Sequence, residues 1–158
     1  MAKKINASNL NKGYSKFNEK TTEHITDRFG EEYNVEITKF FKKTDIVELL
    51  KDFSTVKIQL KDKVEDESLL TDFTYIYPIL LIKYFTNIIV PEKAEDMVQL
   101  STQLINLEIM DKLMNILPQD EVSRVSSYMK QAVENLPKTL DILGIVDKES
   151  ELVEEEVV

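Results

Sequence analysis

A chain of 158 residues is one domain's worth of sequence, long enough to bury roughly 70% of the surface its unfolded form exposes. Its 42% hydrophobic and 31% charged residues are globular values, which excludes wholesale disorder, and a formal net charge of −9 argues against a general nucleic-acid binder, which needs a Lys/Arg excess to neutralise phosphates. With no cysteine, one histidine and three isolated glycines, the chain lacks most of the parts of a nucleophilic, zinc or phosphate-cradling site, and the missing cysteines fit an intracellular protein.

Residues 1–20 are Asn- and Lys-rich, carry Lys3, Lys4, Lys12, Lys16 and Lys20 against Glu19 for a net of +4, and show no sustained periodicity. They read as a flexible basic arm, without the apolar stretch or cleavage site of a signal peptide. A single helical domain is expected over 21–146. Within it Tyr33, Val35 and Ile37 alternate with polar residues, the period-two pattern of a half-buried strand, and Gly30 suits the turn before it.

Thr44 and Asp45 offer N-cap chemistry to a helix whose apolar residues Ile46, Leu49, Leu50 and Phe53 recur at i, i+3, i+4 and i+7. Val56, Ile58 and Leu60 alternate again. They either pair as a second strand with Tyr33–Thr38, giving a small two-stranded β element near the N-terminus, or continue the helix, and three residues do not decide between the two. The charged run from Lys61 to Glu67 reads as a solvated loop, because its acids lack the alternation and the glycine of a calcium loop.

From about Glu67 to Gly144 the pattern is helical, cut by Pro78, Pro91, Pro118 and Pro137 into segments with almost no loop between them, so the fold class is mainly α, a compact multi-helix array. Ser68 lies near the start of the next helix, and the run on to Val90 is apolar nearly all round, which places it centrally, with Pro78 kinking or dividing it. A membrane span is rejected for 73–90. Lys83 sits near its centre, where insertion costs about 2.5–3.5 kcal/mol, and Thr74, Thr86 and Asn87 weaken it further.

Pro91 and Glu92 read as a helix start, followed by a stripe of Met97, Leu100 and Leu104. Asn106 interrupts before Ile109, Met110, Leu113, Met114 and Leu117, and Asp120 caps a last long helix striped by Val122, Val125, Met129, Ala132, Val133 and Leu136. A short turn from Lys138 to Leu143 ends at Gly144. Residues 147–158 carry Asp147, Glu149, Glu151, Glu154, Glu155 and Glu156 against Lys148, a net of −5, and read as a flexible acidic tail.

No residue set stands out as catalytic, metal-ligating or cofactor-binding. His24 lies beside the arm without a nucleophile in its motif, and Glu95/Asp96 and Glu108/Asp111 are acids of the kind wet helix faces carry. The one feature with binding content is methionine at Met97, Met110, Met114 and Met129, since thioethers adapt to irregular apolar surfaces. Met97, Val98, Ile105, Ile109, Met110 and Met114 are therefore the candidate partner-binding residues, with core filling as the competing role.

The element order resembles the small acidic tail assembly chaperones of tailed bacteriophages and prophages of Gram-positive bacteria. The resemblance rests on Glu36-Ile37-Thr38-Lys39-Phe40-Phe41, then Thr44-Asp45-Ile46-Val47-Glu48-Leu49-Leu50, then Leu80-Leu81-Ile82-Lys83-Tyr84-Phe85-Thr86-Asn87-Ile88 ahead of Pro91, and spans about residues 35–135. It implies a non-enzymatic, cytoplasmic protein without cofactors that coats the tape measure protein, and meets the tail tube protein, during tail assembly. It implies no nucleic-acid or membrane partner and leaves homo-oligomerisation open. A small acidic regulator or inhibitor of one host or phage protein is the alternative.

Overall fold

A computed structural model describes residues 1–61 and 72–134 of the chain. The expected loop over 62–67, the helix start at Ser68 with Leu69 and Leu70, Leu136, the turn ending at Gly144 and the acidic stretch 147–158 lie outside the described residues. Among those described there are six α-helices and one two-stranded antiparallel sheet: α1 (Ala7–Tyr14), β1 (Lys20–Thr26), β2 (Glu32–Thr38), α2 (Lys43–Leu60), α3 (Tyr77–Phe85), α4 (Ala94–Asn106), α5 (Met110–Ile116) and α6 (Gln119–Glu134). The chain is mainly helical, as its pattern requires.

The N-terminal stretch departs from the expected arm. Asn6 caps a helix there, its Oδ1 accepting from Asn9 N–H at 2.9 Å, and α1 runs on into a 3-10 turn over Ser15–Asn18. None of its residues is buried, so no apolar stripe announces it.

The strand at Tyr33–Thr38 is present, but its partner is β1 and not Val56–Leu60. Lys20 faces Thr38 and Thr26 faces Glu32, and Ile25, Val35 and Ile37 point into the core. Val56 and Leu60, four residues apart, are both buried on the last turns of α2. The strands are joined by residues 27–31, where Gly30 takes φ +88° and glycine alone does so without strain.

Helix α3 is the centre of the array. Ile79, Leu80, Leu81, Ile82 and Phe85 are buried, each fully buried side chain of this size contributing about 1.5–3 kcal/mol. Pro78 divides the expected long helix: a π-helical turn (Asp72–Ile76) ends where α3 begins, with proline in the first turn, where its missing N–H costs least. The fully buried Ser101 of α4 donates its hydroxyl to the Tyr75 carbonyl in that turn at 2.7 Å.

Helix starts are shifted from the expected caps. Lys42 is the N-cap of α2 and provides no side-chain bond, with Asp45 in the first turn. Helix α4 begins at Ala94, after Lys93 in extended backbone, so Glu92 lies outside it and pairs with Lys83 at 3.3 Å while Glu95 and Asp96 stand in the first turn, where the helix dipole favours acids. Helix α6 begins one residue before Asp120, the Pro118 carbonyl accepting from Val122 N–H. Asn106 does end α4, and α5 follows after three residues.

Candidate protein-binding site

The six residues singled out for binding do not form one face. Met97, Ile109 and Met110 are buried in the core, while Val98, Ile105 and Met114 are half-buried against it. For Met97 and Met110 burial favours core filling, whereas Ile109, equally buried, also borders a recess beside the sheet. Met129 is core as well.

The opposite flank of α4 borders a recess. Ala94, Met97, Ser101 and Leu104 recur at helical spacing and face inward, and Leu100 and Leu107 continue the apolar arc beyond them. With Ile25, Val35, Ile88 and Ile109, the residues Leu100, Leu104 and Leu107 line a recess of about 250 Å³ between the helix and the sheet, to which Asn34 and Gln103 also contribute. That volume is below the ≈300–1,000 Å³ of small-molecule sites and suits an anchoring side chain of another protein. Exposed apolar residues stand close in sequence: Ile89, 92% exposed, follows Ile88, and Phe29, 77% exposed, occupies the tip of the hairpin.

Three local devices hold the recess open. The first is Asp27, whose Oδ1 accepts from the N–H groups of Phe29 at 2.8 Å and Glu31 at 3.0 Å, while its Oδ2 accepts from the Tyr33 hydroxyl at 3.2 Å. Burial pushes the Asp27 carboxyl up, but those donors outweigh it and hold it below its ordinary value, and the same hydrogen bond pushes the Tyr33 phenol up. Tyr33, in the wall of the recess, is thereby fixed.

The second is the tie between hairpin and helix end: Arg28 N–H donates to the Leu107 carbonyl at 2.9 Å, and Lys112 Nζ donates to the Thr26 carbonyl. The third is the C-terminus of α4, where Ile109 N–H bonds the Leu104 carbonyl at 2.9 Å and Glu108 N–H bonds that of Ile105 at 3.0 Å. This double bond pattern is a Schellman motif, and its apolar contact is Leu104 with Ile109, both in the recess lining. The left-handed position, usually glycine, is Glu108 at φ 58°.

A second cluster serves the core. Asp52 Oδ2 on α2 accepts from Lys83 Nζ at 2.8 Å and from the Tyr84 hydroxyl at 2.6 Å, and Glu92 takes the other side of Lys83. The single charge in the apolar run 73–90 is thus paired, not exposed to an apolar medium. Burial pushes the Lys83 ammonium down, but the two carboxylates more than restore it, and it lies above its ordinary value. Burial, the bond to Asp52 and the surrounding negative charge push the Tyr84 phenol far up.

His24 shares its Nδ1 with the Asn34 side chain on the exposed face of the sheet. Glu108 and Asp111 are exposed. Among the described residues no group of three or more His, Asp and Glu side chains could hold a metal ion, and no helix is long and apolar enough to cross a membrane. The recess was missed in the sequence because four of its ten lining residues come from β1 and β2, and only the Leu100 and Leu104 spacing hinted at it.

The fold and recess define a small, mainly helical protein with an apolar surface site of side-chain size. A family model described as YomO matches residues 7–158, and the chain belongs to the YomO family. That name is of a phage and prophage type, which suggests a phage-associated protein. No curated protein and no solved structure matches the chain.

Proposed function

We propose that this chain is a non-enzymatic tail assembly chaperone that binds apolar faces of the tape measure protein and keeps it soluble in the host cytoplasm until tail tube subunits polymerise around it. The observation that carries the reading is the apolar recess between α4 and the sheet, with the exposed Ile89 next in sequence to its lining residue Ile88. An amphipathic helix presents apolar residues at i, i+3 and i+4, and one of them seated among Leu100, Leu104 and Leu107 would be desolvated as interface anchors are. The resemblance in element order and the phage-type family name support the same direction. A net charge of −9 would keep such a complex soluble.

The test is co-expression with helical segments of the tape measure protein. Wild-type chain is expected to hold those segments in the soluble fraction and to co-purify with them. A Leu100→Glu, Leu107→Glu variant that keeps its circular dichroism spectrum is expected to lose them. Retention by that variant would place binding elsewhere, and capture of a single folded host or phage protein instead would favour the inhibitor class.

A further inference from the structure

We infer that the acidic segment 147–158 docks in cis on a basic surface formed by α1, the start of α2 and the outer face of α6. Among the described residues no carboxylate pairs with Lys12, Lys16, Lys42 or Lys43. Lys42 and Lys43 stand at the N-terminal end of α2, where the helix dipole is itself positive, and only Asp45 in the first turn opposes them. This is the wrong place for two cations unless an anion covers them.

Two cation–π contacts show that the three elements meet. Lys42 Nζ lies 5.4 Å from the ring centroid of Tyr14, the last residue of α1, and Lys43 Nζ lies 5.7 Å from that of Tyr128 on α6. Adjacent residues of α2 therefore touch the end of α1 on one side and α6 on the other. Beside Lys43, Ser123, Arg124, Ser127 and Tyr128 line an open depression of about 510 Å³ that also contains Asp120. Arg124 there is already shared with Glu121 at 2.6 Å, so the uncompensated charge is that of the lysines.

The occupant follows from charge and reach. Residues 147–158 carry a net of −5 interleaved with Leu152, Val153, Val157 and Val158, and α1 offers both lysines and the exposed Leu10 and Tyr14. Residues 135–146, which separate α6 from this segment, span up to about 40 Å if extended, and Tyr128 is only about 9 Å of helix from Glu134. The family match includes both α1 and the acidic segment. A single exposed ion pair contributes little, so the docking depends on several acting together and on being intramolecular.

Zero-length carbodiimide coupling of the full chain, in an equal mixture of unlabelled and nitrogen-15-labelled protein, tests this. Peptide mapping is expected to find amide links from Lys12, Lys16, Lys42 or Lys43 to acids of 147–156, with both halves carrying the same label. Their yield should fall about fivefold at roughly 0.5 M salt, where the Debye length is only about 4 Å, and equally in a Lys42→Glu, Lys43→Glu variant with unchanged circular dichroism. Links whose halves carry different labels would assign the surface to a second copy and overturn the proposal. Links spread evenly to Lys57, Lys61 and Lys93, or indifferent to salt, would overturn it too.

Discussion

The rings of Phe41 and Phe85 lie parallel at 3°, with centroids 3.6 Å apart, both wholly shut off from solvent. Phe41 belongs to the link between β2 and α2, Phe85 to the last turn of α3, and the Phe41 backbone is held from a third direction by α6. Its N–H donates to Glu121 Oε2 at 3.1 Å and its carbonyl accepts from Arg124 at 3.4 Å. One residue therefore joins central helix and last helix, its ring stacking on Phe85 and its backbone bonding to α6.

From that arrangement Phe41→Ala should cost about 3–5 kcal/mol, because the cavity would open where three elements meet and none can move in alone. The stack itself accounts for only about 0.5–1.5 kcal/mol of this. Urea unfolding should show a lower midpoint at unchanged slope. A loss under about 1 kcal/mol would mean that the site collapses around the deletion.

Glu108 supports a second prediction. A non-glycine residue in the left-handed region carries a steric cost of about 1–2 kcal/mol, partly offset in any comparison by glycine's greater freedom in the unfolded chain. Glu108→Gly should therefore raise stability by about 0.5–1 kcal/mol, read as a higher thermal midpoint, while the β-branched Glu108→Val should lower it. The Schellman bonds to Leu104 and Ile105 use only backbone and survive both changes.

What the sequence disclosed follows the reach of each signal. Helix α2 was legible because Ile46, Leu49, Leu50 and Phe53 repeat along one local face, and the central place of α3 because it is apolar all round. The partner of β2 was not, since Lys20–Thr26 has Ile25 as its one buried residue and carries almost no alternation. Helix α1 escaped notice for a related reason, as it buries nothing. The recess combines α4 with the sheet, and no local period encodes a contact between residues 33 and 107. Sequence did place the candidates Val98 and Ile105 on α4, but the α4 residues that border the recess are Leu100, Gln103 and Leu104, with Leu107 just beyond its end.

The cluster around Asp52 sets an alkaline limit. Both Lys83 and Tyr84 hold their protons more tightly in the fold than in the unfolded chain. Above about pH 10 the unfolded chain releases protons that the folded one still retains, so stability falls as pH rises through that range. Their contribution is complete below about pH 10 and lost progressively above it. Tyr84→Phe removes one of the two groups and should flatten the decline, measurable as urea midpoints between about pH 9 and 11.

The last prediction separates surface from core within one short stretch of chain. Met110 is buried beneath α3 and the sheet, so Met110→Asp places a carboxylate where no donor awaits it and should unfold the domain, with helical circular dichroism lost at room temperature. Ile89 is almost fully exposed, and Ile89→Asp should change stability by less than about 0.5 kcal/mol. If the recess and its surroundings take an apolar helix, the same Ile89→Asp chain should still bind tape measure segments less well, because a charge beside an apolar anchor must be desolvated when the partner seats. Loss of binding with intact folding at Ile89, set against loss of folding at Met110, would distinguish a surface that recognises a partner from methionines that only fill the core.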